Sequence, residues 1–572
     1  MMDDRAAIPY REPGIVSILI LSSFLLLLNI INHLFNRLVY CGLVGQILIG
    51  VAWGTPGADW LTRDFEDAVT SLGYLGLILI VYHGGLSTNL RALKSNLYLS
   101  AAVALLGIAC PIALSFLLQP LLNATPLQAF AAGAALCSTS LGTTFTVLAA
   151  SGLSDTRLGV VLSSAAMMDD VVGLIMVQVI SNLGGSSSDL NAITIVRPVL
   201  VSIAFAVIIP LVCLYVAKPM LLRFRIRPAE GPGEAGRLRH LLSSRQALFM
   251  IQTVLLLASV TGATYAGTSN LFAAYIAGAV ITWGGDLYST RMKPAATTTT
   301  SKPAARTQGS TVAAGDTTPP ATAKEQNEER TNDLSGTAVY TRYYSQVVDY
   351  VLQPMFFASI GFAIPIRDMF RGEVVWKGIV YAALMTVAKT VCGLCLLPRP
   401  SPSWTIGSAL SKLLKSTLPA RVRTCFISRK QPEQRREDAT KSNASSPTAV
   451  QAATPPPKPK DAAASATTKP PNPVRPPRSL YPAAIIGCAM VSRGEIGFLI
   501  SSIAAAKGVY GGSNTSDLFL VVNWAILICT LLGPLAVGVL VRRVRRLQET
   551  QTRLQTGRAD ALGDWGVVSK ER

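Results

Sequence analysis

Met168-Asp169-Asp170-Val171-Val172 sits near the middle of an apolar stretch, residues 157–181, that is long enough to cross a bilayer. Each charge at that depth costs about 2.5–3.5 kcal/mol on insertion scales. Two adjacent carboxylates add their mutual repulsion. A chain tolerates such a pair only where something binds to it, and the fitting ligands are a monovalent cation or protons. Neighbouring helical residues point about 100° apart, so the two carboxylates face different surroundings and do different work. One can face a water-filled cavity while the other turns toward another helix.

Working outward, the same apolar pattern covers most of the chain. Of 572 residues, 50% are hydrophobic and 15% charged, with a mean hydropathy of +0.41. Soluble domains carry about 25% charged residues. Apolar blocks of roughly 20 residues alternate with short polar turns, so the fold class is an all-α polytopic membrane protein. About 13 spans are expected, near residues 14–34, 38–54, 68–85, 95–119, 127–149, 157–181, 193–217, 246–266, 269–284, 347–366, 374–397, 480–506 and 516–540. The first block is too long for a signal-peptide core and reads as a retained helix.

The net charge of +19 is distributed by loop rather than by patch. With residues 1–13 outside, the inner loops and the tail at 541–572 collect Arg91, Lys94, Arg157 and the cluster Arg542, Arg543, Arg545 and Arg546. Arg367, Arg371 and Lys377 are the exceptions. Positive-inside asymmetry therefore predicts N-out, C-in, with the lipid bilayer rather than nucleic acid as the basic chain's partner. Two inner segments, 286–345 and 398–478, are rich in Thr, Ala, Pro and Ser, lack hydrophobic periodicity and read as disordered. Asn123 and Asn514 head glycosylation sequons on outer loops. Cys392-x-x-Cys395 lies in an apolar helix without a partner pair, which favours packing over redox or zinc chemistry. No cofactor is expected, and no hydrolase or P-loop motif points to an enzyme.

Three further polar sites lie inside spans. Cys137-Ser138-Thr139-Ser140-Leu141-Gly142-Thr143-Thr144 clusters hydroxyls and glycine halfway through a span, the composition of a broken helix that exposes carbonyls to a cation. Lys389 lies deep enough in its span to pair with a carboxylate. Ser492-Arg493-Gly494-Glu495 puts a glycine between opposite charges. If 193–217 is a connector, 14–181 and 246–540 are two six-helix repeats of opposite orientation. The two interrupted spans are then the fifth of each half, the arrangement of an inverted-repeat transporter with crossed broken helices at the ion site.

These residues resemble those of the monovalent cation:proton antiporters, in the two-aspartate branch of sodium/proton and potassium/proton exchangers. The resemblance runs through Ser138-Thr139-Ser140, Ala166-Met167-Met168-Asp169-Asp170, Asn270 to Gly278, Phe356 to Gly361, Lys389 with Gly393, and Arg493-Gly494-Glu495-Ile496-Gly497. The long loops and sequons fit a eukaryotic, fungal member. The resemblance implies that Asp170 binds the transported cation or proton beside Ser138 and Thr139, that Asp169 pairs with Lys389, and that Arg493 and Glu495 are a structural pair linking the second broken helix to the core. It implies exchange of Na+, Li+ or K+ for protons by alternating access, electrogenic because both aspartates are present, in a homodimer. The alternatives are a sodium-coupled organic-solute symporter and a non-transporting ion or pH sensor on the same scaffold.

Overall fold

A computed structural model describes residues 14–88, 96–140, 152–154, 156–184, 192–212, 245–292, 335–396, 479–511 and 516–553, with residues 12, 215, 562, 565 and 566. The expected Thr143, Thr144 and Asn514 lie outside the described residues, as does 398–478.

All thirteen expected spans meet helices. The first half holds α1 (Ile15–Val39), α2 (Gly42–Trp53), α3 (Arg63–Leu86), α4 (Leu97–Ser115), α5 (Pro126–Ala135) and α6 (Arg157–Leu183). The connector is α7 (Ala192–Val212). The second half holds α8 (Arg245–Ala266), α9 (Asn270–Met292), α10 (Gln353–Phe362), α11 (Gly372–Thr390), α12 (Tyr481–Val491), α13 (Glu495–Ala506) and α14 (Asp517–Arg553). Among the described residues, eight stretches are long and apolar enough to cross a bilayer, and three shorter apolar helices join them. Residues 481–506 form one such stretch, broken between α12 and α13. The two spans not among these are α5, which stops early, and α10, which is entered through the π-helical turn Val348–Leu352.

Local sequence sets the helix starts that matter here. Thr125 caps α5 through a capping box with Gln128, and Pro126 takes the first-turn position where its missing N–H is harmless. Thr156 caps α6 by accepting from Gly159 N at 3.3 Å.

The helices sort into two bundles. In the first, α3 lies along α9 and α10, α2 along α1 and α10, and α8 along α9. In the second, α11 lies along α14, α12 and α4, while α6 lies along α4 and α13. Each half of the chain thus gives its first three spans to one bundle and its last three to the other. The connector α7 touches α6 and α9, one from each bundle, and direct contact between the bundles runs mainly through α6–α9 and α10–α13. Outer faces stay apolar and exposed, as at Ile15, Leu19 and Leu26 of α1 and Val254 and Leu257 of α8, which suits contact with lipid tails.

Glycine permits the closest of these approaches. A Cβ on Gly85 of α3 would run into the carbonyl oxygen of Tyr275 on α9 and sit 3.0 Å from Ala279 N. Small residues let helix backbones touch in a membrane, where water gives no hydrophobic drive between them. Gly85→Val is expected to lower stability by about 1–3 kcal/mol, the range for overpacking. Thermal unfolding in detergent checks this, and an unchanged midpoint would mean that α3 and α9 can part freely.

Three expected boundaries move. The segment 286–345 is helical at both ends: α9 runs on to Met292, and Gly336–Tyr343 forms a further helix. Aromatic packing explains the second, because Tyr340 is buried and stacks on His83 at 4.4 Å and near Tyr82 at 6.2 Å. At the C-terminal end, α14 continues through the arginine cluster to Arg553 rather than stopping at 540.

Candidate ion site

Two unwound segments meet inside the second bundle. After α5 the chain leaves helical geometry at Leu136, and Ser138, Thr139 and Ser140 follow without regular structure, all three buried. Between α12 and α13, Ser492-Arg493-Gly494 is the second break. Each break satisfies the other's freed backbone groups, as a membrane interior demands. Ser140 N donates to the Ser492 carbonyl at 2.9 Å, and Arg493 Nη1 donates to the Ser138 carbonyl at 2.8 Å. Gly494 is extended, and a Cβ there would lie 2.8 Å from Ser140 Cβ and Oγ, so only glycine fits the crossing.

Lys389 closes the crossing from α11. Its side chain does not snorkel to the interface; it is 0% exposed. All three ammonium protons are used: Nζ donates to the Cys137 carbonyl at 2.5 Å, to Thr139 Oγ1 at 2.8 Å and to Asp169 Oδ2 at 2.7 Å. Thr139 Oγ1 in turn donates to the same Asp169 oxygen at 2.5 Å. Asp169 is therefore a buried carboxylate paired with Lys389, with Oδ2 accepting two hydrogen bonds and Oδ1 without a partner among the described residues.

Asp170, one residue on, faces elsewhere. Its side chain is partly accessible where that of Asp169 is fully buried. Ser138 Oγ donates to Asp170 Oδ1 at 3.1 Å. The charged neighbours acting on it are Glu495 first, then Asp169, with Lys389 last and of opposite sign. The helix turn between the two aspartates thus sets one against Lys389 and leaves the other beside Ser138, partly accessible.

Most of the expected residues come together here: Ser138 with Asp170, and Thr139 with Asp169 and Lys389. Arg493 and Glu495, expected to link the second broken helix to the core, take separate positions. Among the described residues no ion pair joins them. Arg493 holds the first break by its carbonyl, while Glu495, the first residue of α13, is the foremost like charge acting on Asp170. Sequence reasoning gave no role to Thr88 or Tyr275. Tyr275 lay within a stretch carrying the family resemblance, yet an aromatic on an apolar helix reads as packing, and only the α3–α9 contact sets it beside a hydroxyl.

Fold and site define a helical membrane protein in which the unwound segment after α5 meets the break between α12 and α13 beside a buried lysine–aspartate pair. Residues 20–298 match the family described as sodium/hydrogen exchanger, transmembrane. Over 143 residues the chain is 33% identical to the high-affinity Na+/H+ antiporter NhaS3 of Synechocystis, covering 25% of this chain and 31% of that one. Over 175 residues it is 29% identical to a Na+/H+ antiporter of Enterococcus hirae, covering 30% and 44%, and over 173 residues 27% identical to the Na+/H+-K+ antiporter GerN of Bacillus cereus, covering 30% and 44%. The matched stretches thus span less than half the length of each relative. The fold is similar to that of the sodium proton antiporter MjNhaP1 of Methanocaldococcus jannaschii, with a TM-score of 0.50 over 92% of this chain and 98% of that one, at 12% identity. The resemblance to the monovalent cation:proton antiporter family therefore holds by sequence through the first half of the chain and by fold through the helical core.

Proposed function

We propose that this protein exchanges a monovalent cation for protons across a membrane, with Asp170 as the site both substrates share. The division of labour between the aspartates carries this reading: Asp169 is paired with Lys389, whereas Asp170 has a serine donor, like-charged neighbours and a partly accessible side chain. A carboxylate among like charges favours taking up a positive partner, and either a proton or a cation relieves it. The two substrates then compete, and movement of one bundle against the other changes the side from which Asp170 is reached.

Electrogenic exchange, an N-out and C-in orientation and a homodimer complete the proposal. Na+ and K+ both belong in its test, since one relative is by name a Na+/H+-K+ antiporter. The experiment is cation-dependent proton flux in proteoliposomes with Na+, Li+ and K+, with and without an imposed membrane potential. The apparent cation KM is expected to rise about tenfold for each unit of pH decrease in the range where the proton outcompetes the cation. A KM flat with pH would remove the shared site, and flux indifferent to potential would remove electrogenicity while leaving antiport standing.

A further inference from the structure

The turn between α1 and α2 carries a residue at odds with its own backbone. Among the described residues, three other than glycine have a positive φ: Tyr40, Asp59 and Asn123. Aspartate and asparagine visit the left-handed region readily, whereas a bulky side chain is strained there. Tyr40 ends α1 at φ 59° and ψ 23°, a place where helices usually put glycine. Strain of this kind persists only where the surroundings hold the residue in place. A glycine would make the same turn without it, so what tyrosine adds here is its side chain.

That side chain leaves its own bundle. Tyr40 packs against an apolar cluster of the second bundle that includes Leu158 of α6, Ile485 of α12 and Val541 and Val544 of α14. Arg542 of α14 donates from Nη2 to Tyr40 Oη, and its guanidinium carbon lies 5.7 Å from the centre of the ring. Both α1 and α2 touch α14. A guanidinium engaged with a ring and with its hydroxyl has a narrow geometry, which a shift of a few ångströms breaks. We infer that Tyr40 and Arg542 form a clasp between the two bundles, made in the arrangement described here and released when one bundle moves against the other. The inference rests on the bundle movement of the proposed function and gives that movement a built-in restraint. A contact made in one state and lost on leaving it stabilises that state and slows departure from it.

The test uses the full-length chain, in proteoliposomes for cation-dependent proton flux and in detergent for amide hydrogen exchange. Arg542→Gln removes the guanidinium from an exposed helix face. It is expected to raise the maximal flux about threefold, the scale of one exposed cation–π contact with its hydrogen bond. Tyr40→Phe keeps the ring and should raise the flux less. The double variant should match Arg542→Gln alone, because both changes remove one contact. Amide exchange in the turn at residues 39–43 should quicken about threefold in Arg542→Gln, as the turn loses what holds it. Flux at or below wild type in Arg542→Gln overturns the inference, as does a double variant whose gain is the product of the single gains. Should Tyr40→Phe fail to fold, Arg542→Gln decides by itself. A wild type without cation-coupled flux would remove the exchange reading instead. Amide exchange then judges the clasp alone, and an unchanged rate in that turn overturns it.

Discussion

Asp170→Asn is expected to abolish cation-coupled proton flux while leaving a folded protein. The amide has nearly the carboxylate's shape and can still accept from Ser138 Oγ, which holds Asp170 Oδ1 at 3.1 Å. What it loses is the charge, and with it both cargoes: an amide neither takes up a proton at working pH nor binds a cation strongly enough to strip its water. The variant also relieves repulsion with Glu495 and Asp169, so thermal stability should hold or rise. Flux in proteoliposomes and unfolding in detergent are the paired measurements. Flux above about a tenth of wild type in a well-folded variant would mean that another group carries the exchange, with Glu495 first in line.

Lys389→Met is expected to be the most destabilising single change in the site. It removes one partner of a buried pair and leaves Asp169 Oδ2 with Thr139 alone. It also strands the Cys137 carbonyl at the first break. Removing one member of a buried ion pair typically costs about 3–5 kcal/mol, because the remaining charge is left uncompensated out of water. The double variant Asp169→Asn with Lys389→Met should recover most of the loss, since replacing both members of such a pair is often close to neutral. The measurement is the unfolding midpoint of the three variants in detergent. Equal instability of the single and double variants would assign the loss to the Cys137 carbonyl and the crossing, and not to the ion pair.

How much of this was readable beforehand differs from residue to residue. The spans were legible because a bilayer imposes its thickness on every helix, so α1, α3, α6 and α14 declare themselves by length and composition alone. The broken helices were legible because hydroxyls, glycine and charge in mid-span have few other uses. Lys389 could be read as the partner of Asp169 because a lone buried charge must be paired. The helix at Gly336–Tyr343 was not legible: its flanks are polar, and what orders it is the stacking of Tyr340 on His83 of a helix more than 250 residues earlier.

The sequence by itself determined that this chain crosses a membrane many times and that Asp169-Asp170, Ser138-Thr139, Lys389 and Arg493-Gly494-Glu495 matter, since each is too costly in lipid to be there without a partner or a ligand. Only the tertiary structure decided who those partners are. It gave Asp169 to Lys389 and left Asp170 beside Ser138, partly accessible. It turned Arg493 onto the Ser138 carbonyl, and it joined Thr88 at the end of α3 to Tyr275 of α9. The physical reason is that insertion cost depends on a residue's own type and depth, both written along the chain. Orientation around a helix and contact across distant spans depend on packing, which no single segment contains.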